Sequence, residues 1–340
     1  MYKKLNFFEK ILFLTNVFFV LWLLVSYLIP YLPPKRFSII SVLALLTPIV
    51  LIVNVLFSIY WLVRRKKIFL LSTVILLFGY ESLTRLFQIF NTSAEAGNGF
   101  SLMSFNVRLF NHYRWHPDRN LKDKIIEFVQ KQSADIIVFQ EFYNHKKYDI
   151  AGYPHKKIIT KTPKDNIGHA IFSRFPIINA GSLNFPNTSN NGVFVDIRVQ
   201  KDTLRIYSLH LESLHIKPEN ELINQDKERL IKNISRRFVL QQEQMELFKT
   251  HQNTSPYKTI VCGDFNNTAY SYIYRNIRGE NLNDAFEEKG VGFGKSFNFN
   301  FFPFRIDYIL LDKSLNIQDF NTFSEVLSDH RPMLVKFSME

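Results

Sequence analysis

The chain has 340 residues, with 42 Lys and Arg against 30 Asp and Glu, 34 Phe and a single cysteine, Cys262. This length allows one large or two ordinary domains with a sizeable core, and the lone cysteine excludes an intrachain disulfide framework and a multi-cysteine zinc site. The net charge of +12 is weak evidence for a polyanionic partner, because residues 1–92 hold ten Lys/Arg and two Asp/Glu and leave only +4 for the remainder.

Residues 1–92 read as an all-α transmembrane region. Ile11 to Ile29 is 19 residues without a charge, and Phe37 to Val63 is 27 without a charge, broken mainly by Pro48 and Asn54. Both reach the roughly 20 apolar residues that span a bilayer. Residues 68–90 form a weaker third span, because Glu81 and Arg85 lie in it. Those two stand at i, i+4 and can pair on one helix face, so the alternative is an amphipathic helix at the membrane surface. The long first run leads into Pro30 and Pro33-Pro34 without a small-residue cleavage site, which argues against a cleavable signal peptide. Lys3, Lys4 and Lys10 flank the first span and Arg64-Arg65-Lys66-Lys67 follows the second, against Lys35 and Arg36 in the opposite loop. That bias puts the amino terminus inside. Three spans, as in a bacterial inner-membrane protein, then place everything after about Asn91 outside the cytoplasm; two would leave it inside.

Residues 93–99 are a small, polar linker, and residues 100–340 form a second domain. Strands are predicted over Phe100–Val107, Asp135–Phe139, Ala170–Phe172, Gly192–Val199, Thr203–Leu211, Thr259–Cys262, Arg305–Leu311 and Met333–Phe337. Helices are predicted over Leu121–Gln132 and Glu219–Thr250, from apolar residues at helical spacing. Many strands with helices between them indicate an α/β protein with a layered sheet and helices outside.

Several of these strands end in polar groups that a core does not want. Asn106 ends the first. Gln140-Glu141 follows Ile136-Ile-Val-Phe139. Further on come His210, then Asp264 and Asn266, then Asp307, and last Asp329-His330 before the closing strand. Asp264 and Asn266 are two apart and share a face if the backbone is extended. A carboxylate in an apolar strand is costly unless it is paired or bound to a cation. A shared divalent-metal site with an acid/base histidine accounts for the whole set. Carboxylate and amide oxygens without cysteine favour Mg2+ or Mn2+ over zinc, and such ions suit phosphoryl chemistry. His112, His116, His169 and Arg174 read as surface or rim groups. The uncharged aromatic run Phe297–Phe304 reads either as a lipid- or substrate-facing loop or as core.

Seven segments in order, Ser104-Phe-Asn-Val-Arg108, Gln140-Glu141, Gly168-His-Ala-Ile-Phe-Ser-Arg-Phe-Pro176, Ser208-Leu-His-Leu211, Gly263-Asp-Phe-Asn266, Arg305-Ile-Asp-Tyr-Ile309 and Ser328-Asp-His-Arg-Pro332, resemble the endonuclease/exonuclease/phosphatase superfamily of metal-dependent phosphoesterases. The resemblance runs from about Phe100 to the end and implies a four-layered α/β sandwich, two packed mixed sheets flanked by helices. It implies Glu141 as main metal ligand with Asn106 beside it and Asp329 completing the shell. Asp264 would position the attacking water, Asn266 would orient water and phosphate, and His210 would contact the phosphate. Asp307 would hold His330, which would stabilise the phosphate or shuttle a proton. Arg108 departs from the abasic-site endonucleases, which carry an acid there.

The expectation is therefore a membrane-anchored, Mg2+- or Mn2+-dependent phosphoesterase. Its partners would be the lipid bilayer and a phosphate-ester substrate, either nucleic acid or phospholipid; no obligate protein partner is evident. The alternative is a catalytically silent domain of the same fold that recognises a phosphorylated lipid head group or nucleic acid.

Overall fold

The computed structural model of the protein describes residues 5–89, 99–145, 148–215, 226–299 and 302–339. The chain divides into two compact units. The first comprises Met1–Leu86 with Ile216–Gln242 and Ala269–Arg275, and the second comprises the rest. The expected linker at 93–99 lies, except for Gly99, outside the described residues.

The first unit holds helices α1 (Phe7–Leu28), α2 (Pro34–Ser41), α3 (Thr47–Val63), α4 (Phe69–Phe78) and α5 (Tyr80–Leu86). Asn6 and Glu9 cap α1 reciprocally, and Arg64 pairs with Glu9 at 3.0 Å. Phe7–Tyr31 is long and apolar enough to cross a membrane, and its large side chains, such as Phe18, Leu21 and Leu28, are more than half exposed. The other two expected spans are bent, by 47° between Pro34–Leu45 and Thr47–Val63 and by 83° between α4 and α5. At about 1.5 Å per residue, the ten residues of α4 cannot cross alone. Asn16, Ser72 and Asn54 tie α1, α4 and α3 together: the Asn16 amide donates to Ser72 Oγ at 2.6 Å, which donates to Asn54 Oδ1 at 3.2 Å. Tyr270 belongs to this unit's core with Leu23, Leu51 and Leu76, and its hydroxyl donates to the Ser82 carbonyl at 3.0 Å. The first unit thus recruits segments from far along the sequence, which the expected boundary at residue 92 does not describe.

The second unit is the four-layered sandwich that the sequence predicted. One sheet contains β1 (Phe100–Asn106), β2 (Ile136–Tyr143), β3 (His155–Thr160), β4 (Ile167–Ser173), β11 (Leu315–Thr322) and β12 (Met333–Met339), in the order β11-β12-β1-β2-β4-β3. The other contains β5 (Ile177–Ser182), β6 (Gly192–Val199), β7 (Asp202–His210), β8 (Lys258–Asp264), β9 (Leu282–Asp284) and β10 (Asp307–Asp312), in the order β5-β6-β7-β8-β10-β9. The pairs β1–β2 and β7–β8 are parallel and the rest antiparallel. Helix α6 (Leu121–Gln132) covers the first sheet through Leu121, Ile125 and Val129, packed with Met103, Phe105, Ile137 and Phe139. The end of α7 (Lys227–Gln252) meets the second sheet where Phe248 sits edge-on to Tyr207. Two further short helices are α8 (Tyr272–Arg278), whose start belongs to the first unit, and α9 (Ala285–Lys289). The edge strands β3, β5, β9 and β11 escaped sequence reading. β3 and β5 are half exposed and β9 is three residues long, so none shows a sustained apolar run.

The two-residue period of extended backbone explains how the core and the polar strand ends coexist. On β1, Met103 and Phe105 face α6 while Leu102, Ser104 and Asn106 face the other sheet. On β2, Ile136, Val138 and Gln140 face inward between the sheets. Leu204, Ile206, Ser208 and His210 do so on β7, and Ile260, Cys262 and Asp264 on β8. Each inner face is apolar at one end and polar at the other. The register brings the polar ends together, with Asn106 opposite Gln140, His210 opposite Asp264, and Asp307 opposite Asp264.

Gly263 makes this register possible. Its φ is +124°, and a Cβ there would lie 2.2 Å from the Leu209 carbonyl oxygen on the neighbouring strand. Gly152 also has a positive φ of +88° but nothing within 4 Å of an added Cβ. Gly263→Ala is therefore expected to destabilise by at least about 2–3 kcal/mol, against about 1 kcal/mol for Gly152→Ala. Thermal melts of the two variants beside the parent chain check this; equal shifts would show that β8 has room to move.

Candidate functional site

The site is built around Asp264, buried at the tip of β8. The Asn106 amide nitrogen donates to Asp264 Oδ2 and to Glu141 Oε1, both at 3.2 Å, while Asn106 Oδ1 accepts from the Arg108 backbone at 3.1 Å. Glu141 follows a break in register between Phe139 and Phe142, where its φ is +49°. Such a bulge turns a side chain away from the ordinary alternation, and here it brings the carboxylate against Asn106. His210 Nε2 lies 3.6 Å from Asp264 Oδ2 and 3.7 Å from Glu141 Oε1. That nitrogen is buried and has no hydrogen-bond partner.

On the other side, Asp307 grips His330. Nδ1 of the imidazole is 2.9 Å and 3.1 Å from the two Asp307 oxygens, and Nε2 is 3.6 Å from Asp264 Oδ2. Ser296 Oγ fixes Asp307 by accepting its backbone N–H at 3.0 Å, and the Phe297 ring packs 4.9 Å from the imidazole. The run Phe297–Phe304 is thus partly a wall of the site. Phe297 pairs with Phe304 and with His330; Asn300 and Phe301 lie outside the described residues.

Two expected residues are placed with other partners. The Asn266 backbone donates to Asp264 Oδ1 at 2.8 Å, but its side-chain amide donates to the Leu211 carbonyl at 3.0 Å. Asp329 pairs with Arg108 at 2.8 Å, and that guanidinium lies 4.5 Å over the Trp115 ring. Arg108 and Trp115 are rim groups that sequence reading did not assign. Residues 108–111 all have positive φ, between 40° and 59°, which no composition signal announces. His169, expected at the surface or rim, is buried: Nδ1 is 2.7 Å from Ser208 Oγ and Nε2 3.0 Å from the Asn191 carbonyl. Ser208 also accepts from Gln140 at 3.0 Å, so this polar chain bridges the sheets beneath the site.

Burial pushes the Glu141 carboxyl above its ordinary value. Burial likewise drives Asp264 up to about 8, opposed by the charge of His330 and reinforced by Asp307. Burial works against a charge on His330, yet Asp307 and Asp264 outweigh it and hold the imidazole well above its usual value. His210 is pushed down to about 3 by burial and by the His330 charge, so it is neutral. A pocket of buried carboxylates facing an unpartnered imidazole nitrogen fits a hard divalent cation, which would relieve the desolvation that raises these acids. Asp264, Asp307 and His330 offer ligand atoms within 4.8 Å of one another. Because Asp307 already holds His330 Nδ1 with both oxygens, the carboxylate oxygens left for a cation are those of Glu141 and Asp264, beside His210 Nε2.

A family profile described as the endonuclease/exonuclease/phosphatase family matches residues 103–330, and one described as a domain of unknown function matches residues 9–86. Among solved structures, the chain is similar to the human Nocturnin catalytic domain with bound sulfate anion (TM-score 0.54, 16% identity, covering 73% of this chain and 97% of that one). It is similar to a Bacteroides thetaiotaomicron mannosyl-6-phosphatase (0.52, 19%, 71% and 100%) and to D. rerio TDP2 complexed with single strand DNA product (0.53, 15%, 72% and 100%). At these identities the likeness is one of fold. No curated protein sequence is significantly similar to the chain.

The raised groups fix the sign of a pH effect. An acid whose folded pKa lies above its unfolded value binds more protons when folded, and so does a histidine whose pKa is raised. Both contributions are lost as pH rises. Below about pH 7 the lowered His210 and His169 work in the opposite sense, so in chelator the melting temperature is expected to fall between about pH 7 and pH 9, and Asp264→Asn is expected to flatten that slope. Mn2+ or Mg2+ is expected to restore most stability at the alkaline end. A melting temperature that rises from pH 7 to pH 9 in chelator would contradict the assignment.

Proposed function

The chain belongs to the endonuclease/exonuclease/phosphatase family, and from that premise we propose that it is a membrane-anchored, divalent-metal-dependent hydrolase of phosphate esters. The observation that carries the proposal is the convergence of Asn106, Glu141, His210, Asp307 and His330 on one buried carboxylate, Asp264. Two structural neighbours, one a phosphatase and one bound to a DNA product, support phosphate-ester chemistry on this fold and leave the alcohol open.

Each residue has a part in the proposed reaction. Glu141 would hold Mg2+ or Mn2+, whose bound charge polarises the phosphate and offsets charge on the departing oxygen; Asn106 would join it only by turning its Oδ1 from the Arg108 backbone toward Glu141. Ligation by Asp329 would have to displace Arg108, its partner in the structure. Asp264, set between His210 and His330, would accept a proton from the attacking water. Neutral His210, in its Nε2–H tautomer, would donate from its unpartnered Nε2 to a phosphate oxygen. Asp307 orients His330 and sustains its charge, so that imidazole can stabilise the phosphate or give a proton to the leaving oxygen. Asn266 acts through its backbone, which steadies Asp264.

Phe7–Tyr31 supports the anchor. The catalytic unit lies outside the cytoplasm if the chain crosses three times, and the 83° break after Phe78 makes the third crossing the deciding one. A reporter that works only in the cytoplasm, fused after Asn91, is expected to be silent; a working reporter would mean two crossings or none.

In the full chain in detergent, Asp264→Ala and His330→Ala are each expected to lower kcat for an aryl phosphate ester by about 10²–10⁴-fold, and chelator to abolish turnover. Turnover unchanged in either variant would overturn the mechanism. If the parent chain hydrolyses no ester but still binds phosphate, the silent binding domain is the correct reading.

A further inference from the structure

A cleft of about 530 Å³ opens directly onto Glu141 and His210. Its size is within the ~300–1,000 Å³ of small-molecule sites. If a phosphate sits against these two residues, the alcohol it esterifies extends into this cleft, so the lining chemistry is a statement about the substrate.

The lining disfavours two classes of alcohol. Among the described residues no Phe, Tyr or Trp contributes to it, so these offer no platform on which a base would stack. Its one cationic side chain, Lys161, is turned to structural use: Nζ donates to the carbonyls of Phe185 at 2.7 Å, Asn190 at 3.4 Å, and Thr188. It closes the loop from Phe185 to Asn190 and is not free to attract a strand of phosphates. The anionic groups are Asp165 and Glu141, which would repel a second phosphate held nearby. A nucleic acid, whose binding rests on such cations, is poorly served.

What the lining does offer suits hydroxyl groups. The side-chain amide of Asn166 is exposed and has no partner among the described residues. Among the described residues Ser189 engages only Asn190, at 3.5 Å, and Asp165 accepts one backbone N–H from Thr162 at 2.8 Å, leaving acceptor capacity. An amide, a hydroxyl and a carboxylate together can donate to and accept from neighbouring hydroxyls. Ile159 and Ile167 supply apolar surface for the C–H face of a ring.

We infer that this cleft is the leaving-group subsite, and that it takes a polyhydroxylated alcohol, a sugar or polyol, whose only phosphate is the one at the catalytic residues. The inference rests on the hydrolase reading for the position of that phosphate. Water adds to phosphorus, the bond from phosphorus to the alcohol oxygen breaks, and the alcohol leaves the cleft with a proton. The same headgroup could be free in solution or borne by a membrane lipid.

The test compares kcat/KM of the full chain in detergent, with Mg2+, for a hexose 6-phosphate, a polyol-headgroup phospholipid in mixed micelles, p-nitrophenyl phosphate and a short single-stranded oligonucleotide. At least one polyol ester is expected to exceed the aryl ester and the oligonucleotide by tenfold or more, and the better of the two polyol esters identifies the source. Asn166→Ala is expected to lower the polyol-to-aryl ratio about tenfold, mainly through KM. A preference for the oligonucleotide, or a ratio unmoved by Asn166→Ala, overturns the inference while leaving the hydrolase reading in place. If no ester is turned over, the hydrolase reading fails, and calorimetric binding to the Asp264→Asn chain still decides: hexose 6-phosphate must bind at least tenfold more tightly than inorganic phosphate, and equal affinity overturns the subsite.

Discussion

Everything at the site depends on the alternation of the inner strands, which carries apolar and polar residues on one face in succession. Leu102, Ser104 and Asn106 on β1 and Ile260, Cys262 and Asp264 on β8 share the space between the sheets. The apolar ends hold the two sheets together, and the polar ends meet at one edge of that contact. A one-residue slip of any of these strands would send its polar group to the wrong layer and leave a charged side chain among the helix-facing core. The same burial that makes the fold cohere therefore enforces the geometry of the site.

That arrangement sets stability against chemistry. Glu141, Asp264 and His210 are held where desolvation works against ionisation, whereas Asp307 and Asp264 sustain the charge on His330. The protein offsets part of this locally. Asn106 shares its amide between two carboxylates, Asp307 pairs with His330, and Ser296 steadies Asp307. The strain is also local: Glu141 and Asn266 have a φ of +49°, and the four residues after Val107 are left-handed. Backbone of that kind persists where surrounding contacts over-determine it. Here Phe110 stacks on Tyr148 at 4.8 Å, and Asn111 bonds the backbone at His116 and Asp118.

Most of the sandwich was legible in the sequence because its central strands are buried on both faces. The predicted limits of Leu121–Gln132 and Gly192–Val199 agree with the structure to the residue. The half-exposed edge strands lacked that signal. Asp264, Asp307, His330, Asn106, Glu141 and His210 could be nominated from charge at the ends of apolar runs. Arg108 and Trp115 could not, since a guanidinium reaches Asp329 only through a left-handed turn that leaves no compositional mark. His169 was misjudged because its partners, Ser208 and the Asn191 carbonyl, come from the other sheet.

The apolar amino-terminal region, the α/β class of the remainder, the family and the cast of polar residues are all readable along the chain, because each depends on local periodicity or on short ordered motifs. Which of those residues face one another emerges from the folded arrangement alone. It showed that Asp329 turns to Arg108, that the Asn266 amide is spent on Leu211, that the third apolar segment breaks after Phe78, and that a polar cleft adjoins Glu141 and His210. Contacts between strands distant in sequence are set by register and by loop conformation, and neither is encoded within any one segment.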